Sequence, residues 1–355
     1  MPEKSVVLVA RDVAPSKALA LFEEAIRKEM PNVEVFSFLG HGQPIKATPA
    51  EIIEKSMSAF PVVCGMSSTA ELAQLEILAA NTAINNCADV IFYADNNGAV
   101  GRPWFQVLLD YPHTTLFCPN VLAAKKAKEK RAFLDVVVVG NPLHEQYGLP
   151  PQKTKAKICE QFDISHAYKI VLVSLTKSVP INLELGNSLL TAVQQMTPSH
   201  RRNMMIWFST HPGDENPVQM YHDRLSADEV NYKIFTKSQA ESSLLLLGAD
   251  LVLVSNPEAS LAIEAFYRRI PVIHYGNALI LEHYQQQTGQ LDWPKFEAGE
   301  GIQVLDSPME LWMVLEDLLF VRGTKDIRLK QEVAYPAPPP RGTAVGKMVE
   351  FLKTL

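Results

Sequence analysis

Residues 251–276, LVLVSNPEASLAIEAFYRRIPVIHYG, restrict the fold more tightly than any other stretch of the chain. Leu251 to Val254 is an apolar run short enough for a buried strand. A small polar loop follows, Ser255-Asn256-Pro257-Glu258-Ala259-Ser260. Next comes a helical pattern over residues 261–267, with Glu264 one turn in, and then a second buried run, Pro271-Val272-Ile273. Strand, loop, helix, strand is the crossover that parallel pairing requires, because two strands running the same way need a covering element between them. In an open parallel sheet, ligands bind beyond the carboxyl ends of the strands. The loop 255–260 stands at such an end, and the helix behind it offers free N–H groups to an anion.

The same alternation runs through the rest of the chain. Strands are predicted at 5–10, 33–38, 61–64, 89–94, 114–118 and 135–139, and again at 169–175, 203–209 and 232–235, with a last one at 301–304. Between them lie helical patterns at 17–29, 50–58, 71–81, 184–195 and 241–247, and later at 308–320 and 344–354. Thr48 with Glu51 reads as a capping pair for the second of these helices. The polar, Pro- and Lys-bearing stretch 146–157 follows the segment Gly140-Asn141-Pro142-Leu143-His144-Glu145 and divides the chain into domains 1–150 and 151–340. The helix at 344–354 is expected to cross back onto the first domain. The halves echo each other loosely: Val63-Cys64-Gly65 before Ser67-Ser68-Thr69 and Glu76 parallels Leu253-Val254-Ser255 before Glu258-Ala259-Ser260 and Glu264.

Composition excludes several classes. A net charge of −6 argues against a nucleic-acid or anionic-membrane surface, though a local basic patch could survive it. No apolar run approaches the roughly 20 residues of a spanning helix, so no transmembrane segment is expected. Cys64, Cys87, Cys118 and Cys159 are scattered without CxxC spacing, which suits free thiols in a reducing cytoplasm. The first glycine is Gly40, so the G-x-G-x-x-G turn of a nicotinamide enzyme is missing after the first strand. Neither a P-loop, a G-x-S-x-G elbow nor an H-E-x-x-H metal motif is present.

Three signatures carry a resemblance. Gly140-Asn141-Pro142-Leu143 looks like the turn that closes the first domain in several two-domain glycosyltransferase families. Ser209-Thr210-His211-Pro212-Gly213-Asp214 resembles their strand-end His-Pro motif. Ser260, Glu264-Ala265 and Pro271-Val272-Ile273 resemble the donor-binding S-x-x-x-E-A-x-x-x-x-x-P-V segment. The chain thus resembles the glycosyltransferase-B (GT-B) fold superfamily, which the sugar-nucleotide 2-epimerases and lipid A disaccharide synthases share. The resemblance implies an α/β protein of two Rossmann-like, doubly wound parallel-sheet domains facing across a cleft.

It also implies a function. The second domain would bind a nucleotide-diphosphate sugar in that cleft, and the sugar would pass to an unknown acceptor held by the first domain. Glu264 would accept hydrogen bonds from the ribose hydroxyls, since a carboxylate accepts two donors at once. Ser255, Ser260, Lys177 and Ser178 would hold the diphosphate, and His211 would sit beside the phosphate or the sugar. Asp12 or Asp95 would supply the acid–base group. No cofactor beyond the donor and no metal is expected, and a homodimer is left open. A sugar-nucleotide epimerase or hydrolase on the same fold stays open, as does a non-catalytic binding or scaffold protein. Each residue also has a plainer reading. Glu264 can pair with Arg268 at i, i+4. Asp12 and Asp95 can satisfy turns, Lys177 can be a solvated cation, and His144 and Glu145 read as structural. The basic run 125–131 reads as a solvated helix face.

Overall fold

The computed structural model describes residues 4–148, 153–211, 214, 216, 218–225, 230–289, 292–294, 296 and 299–355. Its contacts divide the chain into two compact units. The first comprises residues 1–148, 285–291 and 339–355, and the second residues 149–284 and 292–338.

The first unit contains a six-stranded sheet of β1 (Ser5–Ala10), β2 (Glu34–Leu39), β3 (Val62–Gly65), β4 (Val90–Tyr93), β5 (Thr114–Cys118) and β6 (Asp135–Val138). Every pairing is parallel, in the order β2-β1-β3-β4-β5-β6. A parallel sheet covered on both faces needs strands that are apolar throughout, and β1, β3 and β4 are fully buried. Val6, Leu8, Ile91, Tyr93 and Phe117 face the helices Val13–Glu29 and Thr343–Leu352. Val7, Val9, Cys64 and Phe92 face the other side, toward the helices Pro49–Met57 and Gln74–Asn85. The C-terminal helix therefore packs on the first unit, with Val345, Met348, Val349 and Leu352 in its core. Glu145 fixes it there: its carboxylate, in a residue 4% exposed, accepts from the N–H groups of Gly342 at 2.7 Å and Ala344 at 2.6 Å.

The second unit repeats the plan with β7 (Lys169–Ser174), β8 (Met204–Ser209), β9 (Asn231–Phe235), β10 (Leu251–Val254), β11 (Val272–Gly276) and β12 (Ile302–Leu305). These are again all parallel, in the order β12-β11-β10-β7-β8-β9. Its core is built from the strands together with Leu185, Leu189, Val193, Leu311 and Leu315.

Several elements differ from the sequence-based expectation. The first helix begins at Val13 rather than at residue 17, because Asp12 caps it and Pro15 is tolerated in a first turn. Thr48 caps the second helix through the N–H of Glu51, as expected. The helices Lys155–Gln161, Ala278–Thr288 and Lys325–Ala334 are additions. No helix among the described residues is long and apolar enough to cross a membrane.

Candidate functional site

Each sheet has one place where consecutive connections leave in opposite directions, and there the strand-end loops diverge to open a crevice. In the second sheet this place lies between β7 and β10, whose last residues, Ser174 and Val254, are register partners. The loops that follow therefore start side by side. Lys177 and Ser178 come from one, and Ser255 and Ser260 from the other, so four of the expected diphosphate residues are brought to one end of one strand pair.

Two helices begin at this point. Ser178 is the N-cap residue of Val179–Gln194 and Ala259 that of Ser260–Tyr267, and neither helix has a side-chain cap. Their first N–H groups thus face outward with the positive end of the helix dipole behind them. Ser255 is 3% exposed, and its Oγ has no hydrogen-bond partner among the described residues. A buried hydroxyl without a partner is rare enough to need a cause. Lys177 is exposed, and its cation together with burial lowers the pKa of His211 below the ordinary histidine value, burial being the larger effect and Asp214 opposing both. The imidazole is therefore kept neutral at pH 7 and able to accept a proton. Pro212 and Gly213, the rest of the His-Pro motif, lie outside the described residues.

Asn182 was not singled out by the sequence. It is 1% exposed, and its Oδ1 accepts from the Thr176 N–H at 2.7 Å and Oγ1 at 3.1 Å. Its Nδ2 donates to the Thr176 carbonyl at 2.9 Å and to the Tyr221 hydroxyl at 2.8 Å. Tyr221 in turn donates to Asp214 Oδ2 at 2.6 Å. One buried amide thus ties the loop after β7 to the loop that carries His211. The only signal in the sequence is a polar residue beside the buried stripe Ile181, Leu185, Leu189.

Glu264 lies deeper than expected, at 2% exposure. Its Oε1 accepts from Arg268 Nε at 2.8 Å and its Oε2 from Ser243 Oγ at 2.6 Å. The i, i+4 pair with Arg268 is present, and each oxygen retains a further lone pair.

In the first sheet the corresponding place lies between β1 and β3. Gly65, at the end of β3, permits a close approach: a Cβ there would stand 2.8 Å from the side chains of Ala10 and Pro15. Asp12 spans the gap. Its Oδ1 accepts from the Val13 N–H at 2.8 Å, and its Oδ2 accepts from the Ser68 N–H at 3.1 Å and Oγ at 2.6 Å. Beneath it, the Asp12 N–H donates to Ser67 Oγ at 3.1 Å, and Ser67 donates to Glu76 Oε1 at 2.5 Å. Glu76 is fully buried, and its Oε2 has no partner among the described residues. Burial pushes its pKa up to about 8, against the Ser67 and Arg11 donors that favour the charged form.

Asp95 follows β4. Its Oδ1 lies 3.7 Å from the guanidinium of Arg102, which is 1% exposed and also donates to the Met66 carbonyl. Asn141 donates to the Asp95 carbonyl at 2.8 Å, and burial drives the pKa of the neighbouring His144 down to about 3, leaving it neutral. Asp12, Ser67, Ser68, Asp95, Arg102 and Asn141 therefore form one polar cluster across the strand ends. Of these, Asp12 and Asp95 were expected from the sequence; Ser67, Ser68, Arg102 and Asn141 were given no site role there.

No protein-family model matches the chain, and no curated protein matches it in sequence. Solved structures do. A UDP-GlcNAc 2-epimerase from Neisseria meningitidis bound to UDP-GlcNAc superposes with a TM-score of 0.61 at 13% identity, over 99% of this chain and 100% of that one. A glycosyltransferase from Rickettsia africae gives 0.57 at 12% identity, over 100% and 99%. MurG from Acinetobacter baumannii gives 0.54 at 12% identity, over 99% and 100%. With two six-stranded parallel sheets and neighbours of this kind, the chain has the GT-B fold.

Proposed function

We propose that the protein binds a nucleotide-diphosphate sugar at the β7/β10 end of its second unit and transfers the sugar to an acceptor. The observation that carries this is the meeting of two uncapped helix N-termini, Lys177 and the partnerless Ser255 hydroxyl at one switch point. Those groups suit a diphosphate. Helix N–H groups and a lysine cation neutralise an anion, and they stabilise a departing diphosphate more than a bound one, because charge grows as the glycosidic bond breaks. The chemistry needs no metal in this reading. Glu264 holds the ribose through its remaining lone pairs, with Ser243 and Arg268 fixing its orientation. His211, neutral at pH 7, accepts a proton. Asp95 or Asp12 serves the acceptor hydroxyl.

A sugar-nucleotide epimerase is the second reading. UDP-GlcNAc 2-epimerases stand among the structural neighbours beside the glycosyltransferases, which supports keeping it.

Thermal unfolding with UDP, GDP, CMP, ADP and their sugars tests the proposal. A ligand that binds only the folded state stabilises by RT ln(1 + [L]/Kd), about 2.7 kcal/mol at a hundredfold excess over Kd. We expect a shift with one base, reduced in Lys177→Ala and in Glu264→Ala. A shift unchanged in both variants, or none with any nucleotide, refutes the assignment. Incubation with the donor alone then separates the readings: a transferase leaves it intact, and an epimerase converts it.

A further inference from the structure

An open surface pocket of about 440 Å³ lies on the second unit, lined by Arg269, Arg322, Gly323, Thr324, Lys325, Arg328, Leu329 and Glu332, of which Arg322, Lys325, Arg328 and Glu332 are exposed. It is not the switch-point site. Arg269 follows the last turn of the helix Ser260–Tyr267 and precedes β11, whereas Ser255 and Ser260 stand at that helix's start. Eight helical residues, roughly 12 Å, separate the two ends.

Four of the eight lining residues are cations. Arg322 is matched by Asp317, at 2.7 and 2.8 Å, and Glu332 is the one acid of the lining. Asp326 also acts on Arg322, and the four cations still outnumber the three acids around them, so the pocket keeps a net positive charge. Lys325 and Arg328 make no ion pair or side-chain hydrogen bond among the described residues, so their donors are available. Arg269 is held in place, since its guanidinium donates to the carbonyls of Phe266 at 2.8 Å and Gln331 at 3.2 Å. That position has φ +61°, where glycine is the residue of least strain, yet a long cation occupies it. The helix Lys325–Ala334 starts at the pocket with no side-chain cap, which adds outward N–H groups to the same space. Arginine forks match the tetrahedral oxygens of phosphate two at a time, and the volume lies within the range of small-ligand sites.

We infer that this pocket binds a phosphate-bearing anion, a phosphomonoester or diphosphate group, at a second site remote from the proposed donor site. The group belongs either to a soluble phosphorylated compound or to a phospholipid headgroup.

Amide hydrogen exchange during titration with inorganic pyrophosphate tests this, because it reads each site by its own peptides. Exchange in residues 322–329 is expected to slow, by up to about a hundredfold at a hundredfold excess over Kd. The effect is lost in Lys325→Ala/Arg328→Ala and kept in Lys330→Ala, a cation of the same helix outside the lining. Protection at 176–182 and 255–262 reports the donor site separately. Sedimentation with vesicles containing phosphatidic acid, whose headgroup is a phosphomonoester, set against phosphatidylcholine vesicles, provides the second arm. Binding of the anionic vesicles alone, lost in the double variant, supports the inference and identifies the headgroup as the source. The inference is overturned if neither probe acts at 322–329, if the double variant behaves as the wild type, or if Lys330→Ala loses the effect equally.

Discussion

Replacing Glu76 with glutamine probes the first unit's switch point most directly. The folded protein keeps the Glu76 proton up to about pH 8, whereas the ordinary value is 4.5. Between these values the unfolded chain binds fewer protons than the folded one, so raising the pH favours unfolding. Stability from this group is complete below pH 4.5 and is lost as pH rises through 8, with a slope of up to about 1.4 kcal/mol per pH unit. From pH 5.5 to 7.5 the loss is about 2.5 kcal/mol. Glutamine copies the protonated form. Its carbonyl can accept from Ser67 and from the Arg11 N–H, as Oε1 does at 2.5 and 3.1 Å. Its NH2 group sits where Oε2 has no partner, so at pH 5 the variant should be less stable by about 1–2 kcal/mol. Urea unfolding at pH 5, 6, 7 and 8, followed by a probe in the first unit, measures both effects. We expect the glutamine variant to show a flatter pH dependence and its curve to cross the wild-type curve below pH 8. Parallel curves for the two proteins would refute the reasoning, since they would mean that Glu76 is ionised in the fold.

Three other substitutions give further tests. Glu145→Ala removes two charge-assisted bonds to the C-terminal helix and should cost about 3 kcal/mol, with faster amide exchange in residues 343–352 as the specific sign. Asn182→Ala removes four hydrogen bonds and should cost about 2–4 kcal/mol in chemical unfolding, while loosening residues 176–178 in hydrogen exchange. Ser255→Ala removes a hydroxyl that has no partner, so unfolding stability should stay within about 0.5 kcal/mol of wild type while pyrophosphate protection at 255–262 weakens.

How much of this was legible beforehand varies by element. The sequence alone carries the α/β class, because apolar runs of four to six residues separated by helical patterns admit little else. It places β1, β5 and β10 at their observed bounds, and the others within a few residues. It puts Asp12, Lys177, Ser178, His211, Ser255 and Ser260 in strand-end loops, because a loop's place between a buried run and a helix is a local property. It missed the helix Lys325–Ala334, which buries only Gln331 and so shows almost no apolar stripe.

Tertiary structure alone decided which strands became neighbours. β7 and β10 are separated by some eighty residues, and nothing in either run specifies the other, since any buried parallel strand offers the same N–H and C=O groups. That choice brings the loop carrying Lys177 beside the loop that begins at Ser255. It also decided which charges are buried: Glu76 and Glu264 occupy equivalent places in the echoed motif, yet one is pushed toward its neutral form and the other is paired with Arg268. A carboxyl's state depends on solvent access and on partners distant in sequence, such as Ser67 or Ser243, and those are set only when the sheets and helices close around it.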